Sequence, residues 1–192
     1  LNVVLGAFEP AGAFNSGVDA FQNSNTTIVG YEGGLRARDV NNVGINVTAI
    51  EGVTLQLSTD VDVQDDVRLV VGTTLGGVAV TAGLASSDDN SAAGFGLTAG
   101  TTVSDVALNV SYAKADNDDS SFNVNATYAG FTLAMQNDET GSSKEQEIYG
   151  GYVLANAAGL AGLNVTVGAG TTDSEASTAE DTKYGVRIDY AF

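Results

Sequence analysis

Residues Thr182 to Phe192 read TKYGVRIDYAF and stop on an aromatic ring. In an extended strand successive side chains alternate between two faces. Tyr184, Val186, Ile188, Tyr190 and Phe192 then fall on one face, and Lys183, Gly185, Arg187, Asp189 and Ala191 on the other. One face is apolar and the other charged. A water-soluble sheet rarely ends on a Phe with nothing after it to shield the ring.

Composition removes whole classes of function. The chain of 192 residues has no cysteine, no histidine and no tryptophan. Disulfide scaffolds, thiolate metal sites, histidine-ligated zinc and Ser-His-Asp catalysis are therefore absent by inventory, and no other pairing of nucleophile and base stands out, so the chain does not read as an enzyme. With 24 acidic and 7 basic residues the formal net charge is −17. That charge opposes nucleic acid and anionic bilayer surfaces and favours cations as partners. The 24 glycines and single proline suit curved sheets better than helices. No run of about eighteen apolar residues exists, so a membrane could be crossed only by strands. The chain begins Leu-Asn-Val-Val without a basic leader and is expected to be a mature or truncated sequence.

Along the chain, Leu1 to Phe8 reads as a short strand, Glu9 to Asn25 as a polar loop, and Thr26 to Tyr31 as a candidate strand. From Leu35 onward a period of two persists. Val43, Ile45 and Val47 oppose Asn42, Asn46 and Thr48; Val106, Leu108, Val110 and Tyr112 oppose Ala107, Asn109 and Ser111; Phe122, Val124, Ala126 and Tyr128 oppose Asn123, Asn125 and Thr127. About eleven such segments of roughly eight to eleven residues follow one another, the length a tilted strand needs to cross a bilayer. Short turns at Glu51-Gly52, Gly76-Gly77, Val103-Ser104 and Ala129-Gly130 alternate with long polar links at Asp60 to Asp66, Ser86 to Ala92, Lys114 to Ser121, Asn137 to Glu145 and Thr171 to Asp181. The polar face is Asn, Thr, Ser, Gln and Gly rather than the Lys and Glu of soluble surfaces. The fold class is all-β, an antiparallel up-and-down transmembrane β-barrel with about 11 to 12 strands in this chain.

With strand pattern, asymmetric loops and YGVRIDYAF together, the chain resembles a Gram-negative outer-membrane general-diffusion porin, most clearly over Tyr31 to Phe192. The run YEGGLRARDVNNVGINVTAIEGVTLQLSTD resembles the porin segment that leaves the inward-folded constriction loop and enters the next strand. The resemblance implies a single barrel domain over 1–192, with 1–33 in the constriction-loop region and 34–192 a meander of strands. It implies a water-filled channel for passive diffusion of small hydrophilic solutes and ions, with outer-membrane lipid and the barrel-assembly machinery as partners and a homotrimer as the assembly. On this resemblance Glu9, Asp19, Arg36, Arg38, Arg68, Lys183, Arg187 and Asp189 line the pore or its constriction. Tyr184, Val186, Ile188, Tyr190 and Phe192 form the assembly signal. Such porins have sixteen strands, so the chain is expected to be the C-terminal part of a larger barrel. The other arrangement is a smaller closed barrel in which Leu1 to Phe8 supplies a twelfth strand.

Two further expectations come from the residues. The acidic runs Asp65-Asp66, Asp88-Asp89 and Asp116 to Asp119 offer hard oxygen ligands to Ca²⁺. None has the spaced calcium-loop pattern, and a solvated acidic face is the preferred reading. An extracellular β-solenoid or surface-layer protein would share this composition, but it should show a fixed repeat, and the hairpin lengths here vary.

Overall fold

The computed structural model describes residues 1–7, 41–47, 50–60, 67–86, 93–175 and 181–190. They form twelve strands: β1 Asn2–Ala7, β2 Asn41–Val47, β3 Val53–Asp60, β4 Val67–Leu75, β5 Val78–Ser86, β6 Gly94–Val103, β7 Val106–Ala115, β8 Ser120–Tyr128, β9 Phe131–Thr140, β10 Ser143–Leu154, β11 Leu163–Ser174 and β12 Asp181–Tyr190. All belong to one sheet whose order follows the chain from β1 to β12, and every neighbour is antiparallel. This is the up-and-down meander expected. It excludes the solenoid, whose strands stack in parallel. The candidate strand at Leu1 to Phe8 is present as β1, beside β2. The candidate strand Thr26 to Tyr31 and the loop Glu9 to Asn25 lie outside the described residues.

Register carries the alternation from strand to strand. One row across six strands reads Val80, Ala99, Val110, Val124, Met135 and Ile148; the row beside it reads Thr81, Thr98, Ser111, Asn123, Gln136 and Glu147. Because side chains alternate with a period of two, a slip of one residue in any strand would exchange these rows. The sheet is inverted relative to a soluble one. Its largest fully buried side chains are Gln136, Asn123, Thr166, Ser111 and Ser121, whereas Leu133 is 64% exposed and Tyr184 85%. Soluble monomers rarely present contiguous apolar patches of more than a few hundred square ångströms, and this outward face runs along the whole sheet.

Aromatic side chains mark both margins of that face. Phe95, Tyr112, Phe122 and Tyr184 stand near the strand ends that enter the long links, and Tyr128, Phe131, Tyr152 and Tyr190 near the tight-turn ends. Outer-membrane barrels carry such girdles at both lipid interfaces. Strands β4 to β12 run nine to twelve residues, enough for a tilted crossing of a bilayer.

The connections differ from the expected strict alternation at three places. Asn137 to Glu145 is not a long loop: β9 reaches Thr140, β10 starts at Ser143, and two residues turn the chain. Past the outer aromatic girdle both faces of this hairpin are polar, so no alternation remained to mark it as strand. Its outward side chains pair across the strands, Gln146 Nε2 donating to Asn137 Oδ1 at 2.8 Å and Lys144 Nζ meeting Glu139 Oε1 at 2.6 Å. Thr171 to Ser174 likewise belongs to β11. Conversely, the small-residue turn between β10 and β11 contains a 3-10 turn at Ala157–Gly159 and is the broadest described link at the tight end. The hairpins there turn on paired positive φ angles, as at Gly76 and Gly77 (58° and 85°) and at Ser104 and Asp105 (48° and 67°), the signature of turns that match strand twist.

Gly94 opens β6 with φ at 151°, and a Cβ there would lie 2.2 Å from the Lys114 carbonyl oxygen and 2.7 Å from Ala115 Cα. Gly94→Ala is therefore expected to destabilise the sheet by about 1–3 kcal/mol through backbone strain. A lowered urea midpoint in lipid vesicles checks this.

Candidate functional site

The polar face is the candidate site, and its chemistry changes around the sheet. On β4 to β6 it is made of small groups, Gly72, Thr81, Gly83, Gly96 and Thr98 among them. On β7 to β9 it becomes a relay of amides. Asn109 Nδ2 donates to Asn125 Oδ1 at 3.2 Å, Asn125 Nδ2 to Asn123 Oδ1 at 2.9 Å, and Asn123 Nδ2 to Gln136 Oε1 at 3.2 Å. Gln136 Nε2 donates to Asp138 Oδ2 at 3.0 Å, and Ser121 Oγ donates to Asp138 Oδ1. Every donor points toward one carboxylate, so each bond polarises the next and the negative charge of Asp138 stabilises the series. On β9 and β10 the face turns acidic: Asp138 and Glu145 stand opposite each other in register, and Glu147 lies opposite Gln136 and Thr172. Thr172 Oγ1 donates to Glu147 Oε1 at 3.4 Å.

The residues expected to line the pore fall into three groups. Arg68 lies on the polar face of β4, opposite Ser58 and Ala85, and is only 3% exposed. Arg187 and Asp189 share the polar face of β12, Arg187 Nε donating to Asp189 Oδ2 at 2.8 Å. Lys183 holds the register position opposite Gly170 on β11. The sheet order puts β5 to β11 between Arg68 and the Arg187–Asp189 pair. Glu9, Asp19, Arg36 and Arg38 lie outside the described residues, as does Phe192 of the assembly signal. The other four members, Tyr184, Val186, Ile188 and Tyr190, are all exposed on the outward face. The amide relay was visible in the sequence only as scattered polar residues of one parity. Finding it required the register of three strands.

At the long-link end the described acidic run does structural work. Asp119 is buried; its Oδ1 accepts from the Gly141 backbone N–H at 2.7 Å and its Oδ2 from Asn117 Nδ2 at 2.7 Å. One carboxylate thereby joins the β7–β8 link to the β9–β10 turn. The Asp116 N–H also donates to the Ala93 carbonyl at 3.0 Å, tying the same link to the start of β6. Asp118 is exposed beside Lys114 Nζ at 2.9 Å. The hydrogen bond from Lys114, and then its charge, hold the Asp118 carboxyl below the usual carboxylate range. Asp116 to Asp119 thus do not converge on a cation, and among the described residues no group of three or more acidic side chains is arranged to hold a metal. Asp65-Asp66 and Asp88-Asp89 lie outside the described residues. Asp119→Ala should leave the Gly141 N–H without its acceptor at a cost of about 1–3 kcal/mol. Faster protease cleavage in the β7–β8 link and the β9–β10 turn is the expected readout.

No family model matches the chain, and no curated protein matches its sequence. Solved structures match its fold. OpdO of Pseudomonas aeruginosa superposes with a TM-score of 0.58 at 16% identity, covering 80% of this chain and 56% of its own. A BenF-like porin from Pseudomonas fluorescens Pf-5 gives 0.53 at 14% identity, covering 82% and 56%. OpdK of Pseudomonas aeruginosa, solved with vanillate, gives 0.52 at 13% identity, covering 81% and 56%. The chain thus spans a little over half the length of these structures, and it has the β-barrel fold of the outer-membrane porins.

Proposed function

We propose that the chain forms the wall of a water-filled channel in the outer membrane of a Gram-negative bacterium, through which small hydrophilic solutes and ions diffuse passively. One observation carries this reading: a single sheet with its polar side chains turned inward and its leucines, valines and tyrosines exposed between two aromatic girdles. Such a sheet is stable with lipid outside and water within. A porin fold and a span of just over half of each matched structure support the chain being part of a larger porin, which on the resemblance carried by YGVRIDYAF would be the C-terminal part of a general-diffusion porin. Further strands would then stand between β12 and β1, and the whole would assemble as a homotrimer. Tyr184 to Phe192 would be the segment read by the assembly machinery, and Arg36, Arg38, Glu9 and Asp19 would set the constriction. Net charge and the inward Asp138, Glu145 and Glu147 make cations the favoured ions.

Planar-bilayer recording tests this. Wild type should give ohmic channels with a reversal potential favouring cations in a salt gradient. Replacing Arg36 and Arg38 by glutamine should move that potential further toward cations. An unchanged potential removes the two arginines from the constriction, and an absence of channels contradicts the function. Substrate-specific uptake is the second reading, favoured by the capture of vanillate in OpdK. Block of the current by vanillate would support it over general diffusion.

A further inference from the structure

We propose that the outward face of β8 to β11 holds one phospholipid acyl chain in a dedicated groove, a lipid seat distinct from the rest of the apolar belt. The proposal rests on the outer-membrane reading above. Two neighbouring rows of the sheet make the groove. The row Ala126, Leu133, Gly150, Ala169 is shallow at three of its four positions, and the row one step nearer the tight-turn end is Tyr128, Phe131, Tyr152, Val167. Small side chains next to aromatic ones leave a trough of about 690 Å³ along the outer surface. Its aromatic bank is consolidated by Phe131 and Tyr152, whose ring centroids lie 4.3 Å apart.

What fills the trough follows from its surroundings. It is continuous with the lipid-facing belt and lies directly inside the tight-end aromatic girdle, where chains descend from the headgroup layer. Its lining side chains are aliphatic and aromatic, the polar exceptions being the hydroxyls of Tyr128 and Tyr152 and two threonines that are on the polar face by register. An empty trough at this depth would forfeit dispersion contacts along its whole length, and a flexible methylene chain is the occupant the bilayer supplies there. No lysine or arginine lies in its lining, so the seat selects for a chain and not for an anionic headgroup.

Filling the floor tests it. Gly150 has an ordinary backbone conformation, and a Cβ there would meet nothing closer than the Thr132 carbonyl oxygen at 3.4 Å. Wild type, Gly150→Leu and the outward control Val80→Leu on β5 would be reconstituted in phosphatidylethanolamine vesicles, extracted in mild detergent and weighed by native mass spectrometry. Folding of each is checked by heat-modifiable gel migration. The expected result is one retained phospholipid per chain in wild type and Val80→Leu, with occupancy at least tenfold lower in folded Gly150→Leu. Ala169→Leu, on the same floor, should reproduce the loss. Equal occupancy in wild type and both floor variants overturns the proposal, as does a wild type that retains no lipid. An oligomer of any order that floor filling dissociates also overturns it, since a second copy would then own the groove. Wild type that fails to enter vesicles at all overturns the membrane reading itself, which separates that failure from failure of the seat.

Discussion

Val110→Arg is expected to destabilise the folded chain in a bilayer by about 2–4 kcal/mol, the cost of a cation near the lipid midplane of a barrel. Val110 is 44% exposed, and on a soluble surface such a change would fall within about 0.5 kcal/mol of neutral. The contrast arises because Val110 sits midway along the apolar row from Val80 to Ile148, between the two aromatic girdles. In a bilayer its side chain would lie in hydrocarbon, where no water hydrates a cation. Urea unfolding from phospholipid vesicles gives the magnitude. The same substitution at Asn137, beyond the outer girdle, should cost about 0–1 kcal/mol, so the pair reads depth as well as sidedness.

Asn123→Leu should cost a comparable amount for the opposite reason. Asn123 is fully buried on the polar face, donating to Gln136 and accepting from Asn125. Leucine keeps the heavy-atom count and branching of asparagine, yet leaves Gln136 Oε1 without its donor and Asn125 Nδ2 without its acceptor. Each abandoned group costs about 1–3 kcal/mol. A hydrophobic substitution at this buried site would thus weaken the protein. Thermal unfolding in micelles checks the sign. Gln136→Leu in the Asn123→Leu background should cost less than the two single changes added together, because both lose the same bond.

Local alternation made much of this legible. Tyr184, Val186, Ile188 and Tyr190 lie within one strand, and the parity that puts them on the outward face needs no knowledge of a partner. The same holds for the rows of β6 to β8. The hairpin from Asn137 to Glu145 was illegible for a physical reason. Alternation records a difference between two environments, and past the outer girdle both faces meet water, so Glu139 and Lys144 look like loop residues while they pair across a ladder. Asp119 was hidden by distance, since its partner Gly141 is twenty-two residues away in sequence. The relay from Asn109 to Asp138 was hidden by register, which links three strands that no local pattern aligns.

The central claim is that the even-numbered side chains of β8 face lipid while the odd-numbered ones face the interior. Nitroxide scanning from Phe122 to Tyr128 in phospholipid vesicles tests it most directly. Collisions with oxygen, which concentrates in lipid, should peak at 122, 124, 126 and 128 and fall at 123, 125 and 127. Among the even-numbered sites a water-soluble nickel chelate should collide least at 124. Even-numbered sites shielded from both reagents, as in a buried soluble core, or reached chiefly by the nickel chelate, would contradict the account.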